Sequence, residues 1–292
     1  MKIFDPLKIF KILIERYTHR IAKKYILKYP QIVILSFDHI GLKINLEGRY
    51  ENHLLEILEK FIQNKIPNSK YVSALDIGAN IGNHSIFFSN FFEKVYAFEP
   101  NPLTYEILKI NSNYVCERKN ISTYNYGLSN KKEKVYFRLN PSNIGGSRII
   151  SNEEYYLNNK RTTEIDVVCA DELDDLKNIN IGLIKIDVEG HEIKTLKGAE
   201  ELIKKNKPII LFEQGKNEFK NNSSQVTNYL KTQDYIFYEF NKSFYFGENV
   251  LLRLLSLLLR SIFGNKTYLK KTSRFQKKHY ELIIALPSKD LI

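Results

Sequence analysis

The chain contains no tryptophan and only two cysteines, Cys116 and Cys169, far apart and outside any CxxC pair or Cys/His cluster. That scarcity argues against a disulfide framework or a structural zinc site and fits a reducing compartment. Long apolar runs are missing too. The nearest approach, NVLLRLLSLLLRSIF (249–263), is too short and too charged to span a bilayer. The opening stretch MKIFDPLKIFKILIERYTHRIAKKYILKY interrupts its apolar residues with charges, so it lacks the continuous apolar core and small-residue cleavage site of an export signal. A cytoplasmic protein is expected, with peripheral contact at the inner face of an anionic membrane left open by its basic ends.

What is present is globular: 43% hydrophobic and 26% charged residues over 292 positions, enough for one large α/β domain. The formal charge of +11 comes from 44 Lys+Arg against 33 Asp+Glu. The excess sits mainly between Lys2 and Lys28 and between Arg253 and Lys278, while the middle is mixed. Abundant Lys, Ile, Asn, Tyr and Phe is the bias AT-rich coding gives without selection for polyanions, so no nucleic-acid partner is expected.

Residues 1–40 read as a basic amphipathic helical extension, with Ile9, Ile12, Leu13 and Tyr17 on one face that is expected to pack on the domain. From 41 to 292 strand and helix alternate, which predicts a doubly wound, mostly parallel α/β sheet. GLKINLE (41–47) reads as a strand and Leu54–Asn64 as a helix. Buried strands are predicted at YVSALDIG (71–78), KVYAFEP (94–100), ISTYNYGL (121–128), IGLIKIDV (181–188) and PIILFEQ (208–214), with helices starting near Asn83, Pro102, Glu192 and Ser224. Two insertions interrupt the pattern. Residues 134–170 are placed to form a flap over a substrate. Residues 243–279 carry the leucine-rich run, expected to cover the core as a helix, between DYIFYEF (234–240) and YELIIALP (280–287), which are expected to pair as an antiparallel hairpin.

The strongest chemical signal is Asp76-Ile77-Gly78-Ala79-Asn80-Ile81-Gly82-Asn83, an apolar strand running into a glycine-rich turn that opens a helix. Glu99, followed by Pro100 and Asn101, closes the next strand and is placed to accept hydrogen bonds from both hydroxyls of a ribose. The DxGxNxG loop lacks the third glycine spacing of a dinucleotide site, and no Lys-Ser/Thr pair follows to make a P-loop. An acid at its start repels pyrophosphate and suits the cationic amino acid part of S-adenosylmethionine (SAM).

These residues resemble the FkbM family of class I SAM-dependent methyltransferases. The resemblance runs through ALDIGANIGNHSIFF (74–88), VYAFEPNPLTYEILKIN (95–111), NYGLSN (125–130), the GGS at 145–147, IKIDVEGHEIKTLKGAEEL (184–202) and PIILFEQ (208–214), in family order over residues 41–215. It implies a seven-stranded Rossmann-like sheet, SAM as methyl donor and an oxygen acceptor on a sugar, a polyketide or another metabolite. Carried over by position, it puts Asp76, Gly78, Asn80, Glu99 and Asn101 around the cofactor, with Gly127 and Leu128 near the adenine.

A second constellation, Asp187-Val188-Glu189-Gly190-His191-Glu192, ends the fourth buried strand, and Glu213 ends the fifth. Both point to the crevice beyond the carboxyl ends of the strands. Methyl transfer to a hydroxyl needs an acceptor in line with the methyl–sulfur bond and a group to take its proton. His191 and Asp187 are rival bases. A third reading places a divalent cation, Mg²⁺ or Mn²⁺, on Asp187 with Glu213 or His191. The predicted activity is O-methyl transfer to a sugar, nucleotide sugar or cell-surface glycan. The alternatives are a nucleic-acid methyltransferase, for which no Asn/Asp-Pro-Pro-aromatic signature is present, and a methyltransferase of another small metabolite.

Overall fold

A computed structural model of the protein describes residues 6–243, 249–263 and 267–288. The helices are α1 (Pro6–Lys23), α2 (His39–Glu47), α3 (Asn52–Lys65), α4 (Asn83–Ser89), α5 (Pro102–Ile110), α6 (Asn152–Leu157), α7 (Asp174–Lys177), α8 (Glu192–Lys197), α9 (Glu200–Asn206), α10 (Gln225–Thr232) and α11 (Val250–Phe263). The strands are β1 (Ser73–Ile77), β2 (Val95–Phe98), β3 (Ile121–Tyr124), β4 (Gly127–Leu128), β5 (Glu133–Arg138), β6 (Arg148–Ile150), β7 (Thr162–Val168), β8 (Ile181–Ile186), β9 (Ile209–Gln214), β10 (Tyr235–Lys242), β11 (Thr267–Thr272) and β12 (Tyr280–Pro287).

The main sheet runs β11-β10-β12-β9-β8-β1-β2-β3, with the five strands from β9 to β3 parallel and β10, β11 and β12 antiparallel. It is a doubly wound, Rossmann-like sheet, with eight strands rather than seven because β11 pairs with the outer edge of β10. β1 is buried along its whole length, as a central parallel strand covered on both faces must be. Its side chains alternate: Leu75 and Ile77 feed the core under α8, α9 and α10, while Ala74 joins the core under α3 and α4. The winding reverses between β1 and β8, which opens a crevice at the carboxyl ends of those strands.

The predicted β10–β12 hairpin is present and antiparallel. The 134–170 insertion supplies β6, β7 and most of β5 to a second, four-stranded sheet in the order β4-β7-β5-β6, and ISTYNYGL, predicted as one buried strand, is split, with β3 in the main sheet and β4 in this one. GLKINLE is the clear departure from expectation, because it is helical in α2. Its period-two alternation is overridden at both ends. The Asp38 side chain accepts from the Ile40 amide at 3.0 Å, and Gly48, at φ 83°, returns its amide to the Ile44 carbonyl. α2 therefore crosses position 40/41, where the extension was expected to end. Among the described residues the apolar faces of α1 and α11 are also not covered as expected, since most of their large apolar side chains are exposed.

Candidate active site

A cavity of about 500 Å³ opens at the carboxyl ends of β1, β2, β8 and β9. Its floor is the turn after β1. Gly78 has φ +77°, and a Cβ there would lie 1.8 Å from the Asp187 carbonyl oxygen, so only glycine lets this loop lie against the end of β8. Gly78→Ala is accordingly expected to force the loop off β8 and abolish ligand-induced thermal stabilisation. A variant that keeps the parent's ligand-dependent shift in Tm would refute the close approach.

Glu99 is buried, with only 6% of it exposed, and both carboxylate oxygens are held by backbone amides, Oε2 by Asn80 at 2.8 Å and Oε1 by Asn101 at 2.9 Å. Asn101 caps α5 by accepting from the Leu103 amide, with Pro102 beginning the helix, so the EPNP sequence fixes the acid and the helix start together. Burial lifts the Glu99 carboxyl to about 7, against the lowering effect of those two amides. Near Glu99, Asn80 Oδ1 and Asn101 Nδ2 are buried without a hydrogen-bond partner, and both residues line the cavity. An acceptor, a donor and a bidentate carboxylate around one hollow fit an adenosine-bearing ligand.

The other predicted cofactor residues divide. Gly78, Asn80, Pro100, Asn101, Gly127 and Leu128 line the cavity with Glu99, whereas Asp76, Ala79, Gly82 and Asn83 do not. Asp76 is fully buried, accepting from Ser85 Oγ at 2.5 Å and lying 3.5 Å from Lys185 Nζ. Its place follows from register, since Asp76 stands opposite Lys185 across β1 and β8. Ala79 packs on Ala97 and Leu108, Gly82 leads into α4 with φ +92°, and the Asn83 side chain ties down the backbone of Tyr50.

At the far end of the cavity Asp187, Glu189 and Glu213 bring carboxylate oxygens within 4.8 Å of one another. Lys185 joins this end to the floor. Its ammonium lies 3.1 Å from Asp187 Oδ2 and donates to the Gly78 carbonyl at 3.2 Å. Burial pulls the Lys185 pKa down, but Asp187 and Asp76 outweigh it and hold the group protonated. For Asp187 burial pushes upward and Lys185 prevails, leaving the carboxyl below its ordinary value. Glu213 is pushed up to about 10, by burial first and then by Asp187, so it is neutral at physiological pH. Burial also raises Glu189 to about 7.

His191 lines the same cavity but is bonded elsewhere: its Nε2 lies 2.9 Å from the Ser129 hydroxyl, and burial lowers it to about 4, so the ring is neutral. Asp187 is engaged with Lys185 and Glu213 instead. Sequence reasoning passed over Lys185, although a lysine in the otherwise apolar strand IGLIKI is a visible signal. It also missed His39, Tyr50 and His279, brought to the cavity from distant segments, with His279 Nε2 3.6 Å from Glu213 Oε1. From the 134–170 insertion come Phe137, Asn143, Ile144, Gly145, Ser147 and Ile149. Asp38, which caps α2, also accepts from the Ile144 amide at 2.8 Å and so ties the 134–170 insertion to the start of α2.

A family model described as the methyltransferase FkbM domain matches residues 76–237, more than half of the chain. The hexuronic acid methyltransferase AglP of Haloferax volcanii is 33% identical over 42% of this chain and 48% of its own length. Methyltransferase sdnD of Sordaria araneosa is 26% identical over 47% of this chain and 62% of its own length. Thus the chain spans about half to three fifths of the curated relatives it matches. The crystal structure of an FkbM methyltransferase from Methylobacillus flagellatus aligns with a TM-score of 0.41 at 20% identity, covering 57% of this chain and 39% of that one. The family match leaves out His39, Tyr50 and His279, so part of the cavity wall lies outside the shared domain.

Proposed function

Since the chain belongs to the methyltransferase FkbM domain family, we propose that it transfers the methyl group of SAM to a hydroxyl of a sugar. The observation that carries this reading is that one cavity holds both an adenosine-type cradle, centred on Glu99, and a cluster of carboxylates at the opposite end. When bound, SAM supplies an electrophilic methyl group on a cationic sulfonium. Glu99 would hold the ribose hydroxyls, and the acidic cavity favours a cation over a pyrophosphate ligand.

Asp187 is our choice for the group that receives the acceptor's proton, because Lys185 keeps it ionised while about a third of its side chain stays open to the cavity. The neutral Glu213 is hydrogen-bonded to it and is placed to donate to a sugar oxygen. Among the described residues, no lysine or arginine lines the cavity, whereas Glu99, Asp187, Glu189, Glu192, Glu213 and Glu218 do. Such a wall pairs with hydroxyl donors and gives a sugar carboxylate or phosphate no lysine or arginine as counter-ion. A neutral sugar is therefore favoured over a hexuronic acid, the substrate named for AglP. Incubating the protein with SAM and a panel of neutral, amino and acidic sugars, with mass spectrometry for the gain of one methyl, tests this choice. Methylation confined to the acidic sugars would overturn it.

A second reading keeps the same acceptor and puts Mg²⁺ or Mn²⁺ on Asp187, Glu189 and Glu213, whose spacing admits a shared cation. Activity lost with EDTA and regained with either ion would favour it.

SAM binding has its own signature. Glu99→Ala should weaken it by about 1.5–3 kcal/mol, roughly 10- to 150-fold in Kd. Ribose hydroxyls favour the ionised carboxylate, which in the free protein is half protonated near pH 7. Binding therefore releases a proton below that pH, and affinity should fall as pH drops through about 7 and stay level above it. Calorimetry across that range checks both effects, and a pH-independent Kd would remove Glu99 from the ribose site.

A further inference from the structure

Two helices turn their apolar side chains outward. In α1, Ile9, Phe10, Leu13 and Tyr17 are exposed, and in α11 Val250, Leu251, Leu254 and Leu257 are each more than half exposed. A helix on a water-soluble domain ordinarily does the reverse. The inversion in α11 is specific: the polar Ser256 is buried, its hydroxyl donating to the Leu252 carbonyl at 2.6 Å, while leucines on either side of it face outward. Apolar exposure concentrated in this way marks a contact surface.

Charge indicates what the surface contacts. Along α1, Lys8, Lys11, Arg16, Arg20 and Lys23 stand against the single acid Glu15, and all are exposed. At 100° per residue the basic side chains fill one half of the helix, which also carries Ile9 and Ile12, and Leu7, Phe10, Leu13, Ile14 and Tyr17 fall in the other. Such a helix lies in the plane of an anionic bilayer surface, apolar side down and cations among the headgroup phosphates. A second copy of this chain would instead bring one basic helix against another. None of the described helices is long and apolar enough to cross a membrane. We propose that α1 and α11 dock this protein on the surface of an anionic membrane. α1 lies against α2, whose His39 and Ile40 line the cavity, so docking would hold the cavity one helix away from α1.

Flotation of the full chain on vesicles of phosphatidylcholine, with or without phosphatidylglycerol, tests the proposal. Wild-type protein should rise with the anionic vesicles at low salt and stay at the bottom with phosphatidylcholine alone. Added salt should weaken the association, because attraction to headgroups is screened. Lys8→Gln with Lys11→Gln and Arg16→Gln should reduce flotation, and Leu13→Glu with Leu254→Glu should abolish it. Both sets are on exposed positions, so Tm should be unchanged. Wild-type protein left at the bottom, or the glutamate variant floating as well as wild type, overturns the proposal. So does a wild-type dimer that becomes a monomer in the glutamate variant without any vesicle binding, because a second copy would then cover these faces.

Discussion

Lys185→Met is expected to lower the free energy of unfolding by about 3–5 kcal/mol, the range for removing one partner of a buried ion network. The Lys185 side chain is 4% exposed and faces Asp76, itself fully buried, and Asp187 across the end of the sheet. Without the ammonium, Asp76 keeps only the Ser85 hydroxyl, and the Gly78 carbonyl loses its donor. The Asp187 carboxyl, which Lys185 holds below its ordinary value against burial, would then have a folded-state pKa raised above its unfolded value. Such groups stabilise at low pH and lose that contribution as pH rises, so the variant's deficit should widen from acid toward neutral pH. Urea unfolding of Lys185→Met, Asp76→Asn and the double variant forms the cycle that checks it. The double variant should recover part of the loss, because the asparagine side chain leaves no charge stranded in the sheet. Additive losses would mean that the pair does not interact.

Asp187→Asn is expected to lower turnover by about 10²- to 10⁴-fold, the usual range for a positioned proton acceptor, while the Kd for SAM changes only a few-fold. Asparagine preserves size and hydrogen bonding but cannot take a proton. The comparison that gives this weight is Glu213→Gln. Because burial and Asp187 already hold Glu213 neutral, the amide replaces like with like, and the loss should stay within about tenfold. His191→Ala should also be mild in kcat, since the ring is neutral and its Nε2 is engaged with Ser129. Single-turnover kinetics separates chemistry from binding for all three. A His191→Ala defect as large as that of Asp187→Asn would return the imidazole to the role of base. If Glu213→Gln is as damaging as Asp187→Asn and EDTA silences the wild type, the carboxylates serve a cation instead.

The glycine loop and the Glu99 turn, the cradle proposed for SAM, were readable along the chain because their parts are local. Asp76 to Asn83 is one strand-to-helix turn and Glu99 to Pro102 one strand end with its cap, and each is specified by residues a few positions apart. The fate of Asp76 was not readable. Its type and place in the loop suit a contact with ligand, but the β1–β8 register sets it opposite Lys185, 109 positions away in sequence, and the pair is buried together. GLKINLE misled because alternation over seven residues is compatible with a strand, while the caps that make it a helix, Asp38 and Gly48, lie outside the window.

By itself the sequence determined a doubly wound sheet, the glycine loop at its switch point, Glu99 and the acids that end β8 and β9, since buried runs, tight turns and caps are short-range properties of the chain. Only the tertiary structure decided how those acids share charge and which apolar surface stays outside. Lys185 holds Asp187 ionised while Glu213 is left neutral, and His191 turns to Ser129, because pKa values follow burial and neighbours that register brings together. The leucines of α11 satisfy the pattern of a core helix as well as that of an interfacial one. What separates the two is whether the rest of the fold offers a surface to cover them, and here they remain exposed.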